Sequence, residues 1–160
     1  MDYAIIARVI HVAAVVVWIG GVAMATTVFL PLVRRRDRPL NERFALFESV
    51  ERRFIWQART ATILVMLSGF YMVAHYDLWS RFSSAEFWWM DAMVAVWLIF
   101  TLLLFVGEPL IVHRWVHRQV AAGNEGVLAI LHRMHWVLLV LSTITVLAAV
   151  AGSHGMVLIP

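Results

Sequence analysis

Residues 4–33, AIIARVIHVAAVVVWIGGVAMATTVFLPLV, form one apolar run interrupted only by Arg8 and His11. A bilayer core asks for about 20 consecutive apolar residues per helix, so this run is long enough to cross it with tilt. Ala23-Met24-Ala25 resembles a small-residue cleavage site, but Asp2 and a single Arg make a poor cationic start for a signal peptide. The run therefore reads as a retained span. Three further apolar stretches follow at about 55–76, 87–112 and 134–151, the third carrying Pro109 near its end as a candidate kink.

Four spans take up about half the chain, and the 160 residues leave no room for a separate soluble catalytic domain. The composition agrees: 62% hydrophobic, 14% charged and a mean hydropathy of +0.82, against a roughly half-apolar, quarter-charged soluble domain. The expectation is an all-α membrane protein, a four-transmembrane-helix bundle forming one integral membrane domain over residues 1–160.

The connectors set its direction. All 13 basic residues are Arg. Eight of them (Arg34, Arg35, Arg36, Arg38, Arg43, Arg52, Arg53 and Arg59) fall in or just after the first connector, and three (Arg114, Arg118 and Arg133) in the third. Only Arg8 and Arg81 remain for the other side, so the positive-inside rule places both basic connectors in the cytoplasm and both termini in the periplasm of a bacterial inner membrane. Between spans 1 and 2, Leu40, Phe44, Phe47, Val50 and Phe54 recur every three or four residues among charged neighbours. This predicts a short amphipathic cytoplasmic helix, lying on the membrane surface or packed below the bundle. Ala122-Gly123-Asn124-Glu125-Gly126 reads as a break between two helical pieces.

The absence of Cys removes disulfides, thiolate metal sites and cysteine nucleophiles, and the absence of Lys removes Schiff-base chemistry. No phosphate loop, dinucleotide fingerprint, nucleophile elbow or HExxH is present, and the placement of Arg argues for lipid and not nucleic acid. What remains is seven His. The topology sorts them into an outer group, His11, His75 and His154, and an inner group, His113, His117, His132 and His135.

An imidazole inside a membrane is costly unless partnered, which makes His11 the first candidate ligand for haem or a metal. Trp18 and Gly21 follow it on nearly the same helix face, and Gly20, Gly21 and Ala25 offer a flat strip to a planar ligand or another helix. The other reading of His11 is a donor to a carbonyl of a neighbouring helix, with the glycines serving packing alone. Arg8, one turn above, would meet a haem propionate or snorkel to lipid phosphate. His75 or His154 would take the opposite axial position, with Met72, Met90 and Met93 at a similar level as thioether alternatives. Without haem, His11, His75 and His154 with Met72, Met90, Met93 and Met156 form a donor set suited to copper. On the inner side, His113 pairs with His117 at i, i+4 and His132 with His135 at i, i+3; His113, His132 and His135 make a possible second haem or metal site, or part of a solvated basic face. Asp91 and Glu108 are candidates to relay protons or meet a quinone hydroxyl, or are helix-end charges paired with Arg.

At His11-x6-Trp18-x-Gly20-Gly21, the first span resembles the opening helix of the CopD-like and HemJ-like small bacterial membrane proteins. The resemblance covers about 20 residues, with the four-span layout in agreement. CopD-like proteins are linked to copper uptake, and HemJ-like proteins bind haem b and are linked to protoporphyrinogen oxidation. The resemblance implies that His11 is a haem axial or metal-site residue. HemJ-like proteins also rely on a Lys in a later span, where this chain has none, so the oxidase activity is not carried over.

The sequence thus leads to a haem b-binding membrane protein holding one or two haems, with a redox or electron-transfer role; as an enzyme it would be a membrane haem oxidoreductase. Its partners would be lipid, a quinone or redox protein, and further copies of itself. Copper handling of the CopD type, and a structural or accessory subunit, are the alternatives.

Overall fold

The computed structural model describes residues 3–156. Asp2 and the apolar tail from residue 157 lie outside the described residues. The chain folds into four long helices, α1 (Tyr3–Val33), α2 (Leu40–His75), α3 (Ala85–Ala121) and α4 (Val127–Ser153), with no strand among the described residues. Three of them, α1, α3 and α4, are long and apolar enough to cross a membrane. α2 is as long, but Gln57, Arg59, Thr60, Thr62 and Ser68 dilute its apolar half.

Consecutive helices run antiparallel, α1 packing mainly on α2 and α3 on α4, with α1–α4 and α2–α3 contacts closing the ring. α1 presents Ala4, Ala7, Ala14, Trp18 and Val22, spaced by three, seven, four and four residues, to its neighbours. Small residues on this stripe let the α2 backbone approach closely. α2 answers with Phe44, Phe47, Ala58, Ala61, Val65 and Ser68, all buried on one face. In the central core Trp18 meets Phe100 edge-on at 4.8 Å.

The expected short amphipathic helix is not a separate element. Residues 40–75 form one unbroken helix, about 54 Å long at 1.5 Å per residue. The physical reason is plain in the chain, which has no Gly or Pro between Leu40 and Ser68 to interrupt the backbone hydrogen bonds. The amphipathic half extends the bundle: Phe44 and Phe47 pack with Leu30, Val33, Val116, Val127, Leu128 and Leu131 in a second core at that end. Arg43, buried there, pairs with Glu125.

α2 ends with Asp77 in the left-handed region (φ 50°), where the Leu78 N–H reaches back to the Val73 carbonyl. α3 ends at Ala121 and α4 begins at Val127, so the break falls in the Ala122–Gly126 segment. Gly123 (φ 71°) supplies the left-handed residue and the Asn124 N–H meets the Gln119 carbonyl.

Pro31 and Pro109 accompany π-helical widenings of their helices. α1 passes through a π-helical stretch at Ala25–Phe29 and α3 through a longer one at Leu103–Val112. In a π turn each N–H bonds the carbonyl five residues back, so the missing N–H of Pro31 orphans the Thr26 carbonyl and that of Pro109 orphans the Leu104 carbonyl. Side chains from other helices replace both. His132 Nε2–H donates to the Thr26 carbonyl at 2.9 Å, and Arg59 donates from Nε and Nη2 to the Leu104 carbonyl at 3.0 and 2.7 Å.

Candidate functional site

The helix order puts His11, His75 and His154 towards one end of the bundle and His113, His117, His132 and His135 towards the other, where the Arg-rich connectors also gather. His11 sits half-buried in the α1–α2 interface. Its Nδ1 lies 3.1 Å from both the Val65 carbonyl and Ser68 Oγ. A carbonyl only accepts, so Nδ1 carries the hydrogen and Nε2 is the basic nitrogen of the neutral ring. Nε2 has no hydrogen-bond partner among the described residues. Gly69 leaves room for the imidazole, since a Cβ there would lie 3.2 Å from His11 Cε1.

The neighbours expected around His11 are arranged differently. Arg8 is exposed, with its guanidinium 5.9 Å from the centre of the Tyr76 ring at the end of α2. The strip at Gly20 and Gly21 divides: a Cβ on Gly21 would overlap the Phe54 ring, whereas nothing lies within 4 Å of one on Gly20. Trp18 points into the central core. His75 is exposed and stacked on Tyr71 at 5.6 Å. It lies six residues beyond Gly69, hence about 9 Å further along the helix than the His11 contact. His154 is exposed at the end of α4 and donates Nδ1–H to the Val150 carbonyl. Met90 is buried and Met93 packs beside it in a separate outer cluster with Trp89 and Ala148; Met72 is half-buried and Met156 exposed. No contact joins these side chains to His11 among the described residues.

The inner histidines part into three environments. His132 is buried with both ring nitrogens engaged, Nε2–H on Thr26 and Nδ1 accepting from Arg34 Nη1 at 2.7 Å. His113 and His117 are exposed, 4.3 Å apart between ring centres, and His117 Nε2 is 3.2 Å from Glu48 Oε1. Their nitrogens and the Glu48 carboxylate fall within 4.8 Å of one another, a surface His-His-carboxylate cluster. His135 donates Nδ1–H to the Leu131 carbonyl one turn back at 2.9 Å, leaving Nε2 without a partner among the described residues.

His135 also lines a cavity of about 100 Å³ in the half of the bundle nearer the Arg-rich connectors. The wall is apolar except for Trp18, Glu51, Glu108 and His135, and both π-helical stretches contribute to it. Glu108 is paired with Arg59 at 3.2 Å. Asp91 is exposed, away from this cavity. Glu51 has no hydrogen bond or ion pair among the described residues, and burial, with the Glu108 and Glu48 carboxylates nearby, pushes its carboxyl up to about 7. The indole N–H of Trp18 is buried without an acceptor.

Glu51 is the residue that sequence reasoning passed over, because it stands among charged neighbours. The signal was its register. Phe44, Phe47, Glu51, Phe54, Ala58, Ala61, Val65 and Ser68 alternate spacings of three and four, which places Glu51 on the core line of α2. Comparison with protein-family models, with characterised proteins and with solved structures finds no match.

Proposed function

We propose that this protein is a four-span, haem b-binding protein of a bacterial inner membrane with a redox or electron-transfer role. Residues 55–76 of α2 form its second span, the basic end faces the cytoplasm and both termini face the periplasm. His11 Nδ1–H is held by the Val65 carbonyl and Ser68, the interhelical bond that a packing role also expects; what supports ligation is that this bond leaves Nε2 basic and without a partner among the described residues. Metal-ligating imidazoles are oriented in this way, the second nitrogen fixed by a carbonyl so that tautomer and ring plane suit the metal.

Of the candidate donors, His11 is the one the structure orients for ligation. His11 would bind through Nε2, Val65 and Ser68 would orient it, and Arg8, one turn towards the outer end, would meet a propionate. His75, His154 and the methionines are not gathered around His11, so of the expected donors His11 alone would hold the group. Bound haem supplies one-electron chemistry, while the chain supplies ligation, burial and orientation. A quinone or a redox protein would exchange the electrons.

The deciding measurement is the absorption spectrum of purified protein from haem-supplemented cells, beside His11→Ala and His11→Gln. The expected result is a Soret band in the wild type and its loss in both variants, with unchanged helicity and elution. A wild type without a Soret band overturns the proposal, and copper bound through His11 in its place would establish the CopD-type alternative.

A further inference from the structure

The cavity lined by His135 gathers polar atoms that the protein leaves unpaired. Trp18 Nε1–H, the Glu51 carboxyl and His135 Nε2 have no hydrogen-bond partner among the described residues, and all three residues line the same space with Glu108. Buried polar groups in folded proteins are almost always satisfied, by protein or by ordered water. Trp18 Nε1 is such an exception, fully buried with no acceptor, and the unpaired Glu51 carboxyl and His135 Nε2 belong to half-buried side chains that line the same space. The volume of about 100 Å³ leaves room for ordered water. A cavity of about 150 Å³ is the size known to take benzene, whereas a water takes about 30 Å³ and asks for two to four polar partners. The space is large enough for more than one water, and the four side chains supply the partners.

The walls point the same way. The π-helical stretches of α1 and α3 meet at this cavity, and such wide turns recur at functional sites. Their orphaned carbonyls are already capped by His132 and Arg59, which leaves the unpaired groups facing the cavity for another partner.

We propose that this cavity is a hydrated proton-exchange site, in which Glu51 carries the exchangeable proton and ordered water joins it to His135 Nε2 and Glu108. The proton leaves a Glu51 oxygen, passes through water and arrives on His135 Nε2; carboxylic acid and imidazole become carboxylate and imidazolium, and the net charge is unchanged. Trp18 donates its N–H to the same water. The charged and titratable groups facing Glu51 are Glu48 on its own helix, Glu108 on α3 and His135 on α4. α1 contributes only apolar side chains and Trp18. Arg59 is held by Glu108 and the Leu104 carbonyl. A carboxyl raised to about 7 populates both protonation states near neutral pH, as a proton carrier requires. The site stands independently of haem binding at His11.

Infrared difference spectroscopy of the whole protein in lipid nanodiscs, with or without haem, tests this. The expected result is a protonated-carboxyl stretching band that fades as pH rises through about 7 and shifts promptly on transfer to D₂O. It should vanish in the near-isosteric Glu51→Gln and persist in Glu48→Gln. Ala58→Leu, which fills the cavity from a wall position, should keep the band and slow its D₂O shift at least tenfold. A band unaffected by Glu51→Gln, or one that titrates with ordinary exposed carboxylates, overturns the proposal. So does a carboxyl that fails to exchange in D₂O, because that group has no water path. A wild type that binds no haem but shows the band sinks the ligation reading and leaves this one standing.

Discussion

His132 donates its Nε2–H to the carbonyl of Thr26 at 2.9 Å, the carbonyl that Pro31 deprives of a backbone donor. The two residues are 106 positions apart in sequence, and the bond ties α4 to the π-helical stretch of α1. Because Nδ1 accepts from Arg34, the ring is held as the neutral Nε2–H tautomer. This constrains His132 to a structural part.

His132→Ala should destabilise the protein by about 1–3 kcal/mol, the cost of leaving a buried carbonyl unpaired. Pro31→Ala restores an N–H for Thr26, so in that background the same substitution should cost distinctly less. A double-mutant cycle on thermal unfolding in detergent measures the coupling. Equal losses with and without Pro31 would mean that the bond does not compensate the proline.

Arg59 performs the corresponding service for Pro109, with the added duty of pairing Glu108. Arg59→Gln should leave both the Leu104 carbonyl and a half-buried carboxylate short of a donor. Pro109→Ala should recover only the carbonyl part of the loss, and Glu108→Gln the rest. The check is the unfolding midpoint of the single, double and triple variants. Full recovery by Pro109→Ala alone would show that the Arg59–Glu108 pair contributes nothing.

The spans were legible because apolar runs of membrane-crossing length admit few other readings. The Arg-rich connectors were legible as one end of the bundle. Both prolines were visible too, but their consequences were not: a sequence shows that Pro31 lacks an N–H, and only the packed helices show that His132 supplies the replacement. For the same reason His132 resembled a ligand beside His135 at i, i+3, although its ring faces α1 and that of His135 bonds back along its own helix. The continuity of α2 was readable from the lack of Gly and Pro between Leu40 and Ser68, but the change from charged to apolar composition near Ile55 masked it. His11 was singled out for its rarity within a span. Its anchoring by Val65 and Ser68 depended on the α1–α2 register, which a single chain does not reveal.

Gly69 gives a local test of that anchoring. A side chain there would press on His11 Cε1 and Nδ1, at 3.2 and 3.5 Å from the new Cβ, and turn the ring from Val65. Disturbing the groups that orient a metal-ligating His costs roughly 10–100-fold in affinity. Gly69→Val should therefore lower haem occupancy, read as Soret absorbance per protein, by about that factor. Gly20→Val, whose Cβ would meet nothing within 4 Å, should leave it unchanged. Equal occupancy in the two variants would remove the orienting role of the α1–α2 contact.

Glu51 should give the protein a pH-dependent stability of unusual sign for a carboxylate. Its folded-state pKa is raised from 4.5 to about 7, first by burial and then by Glu108 and Glu48. Between those values the folded state binds more protons than the unfolded state, so stability falls as pH rises through the window. Below it both states are protonated and the group is neutral in effect; above it the full penalty of a buried carboxylate is present. Unfolding midpoints measured between about pH 5 and 8 should decline in the wild type and flatten in Glu51→Gln. Glu108→Gln, which removes the second-largest cause of the shift, should move the decline to lower pH without abolishing it. Parallel curves for the wild type and Glu51→Gln would show that Glu51 titrates with its exposed neighbours and does not feel the cavity it lines.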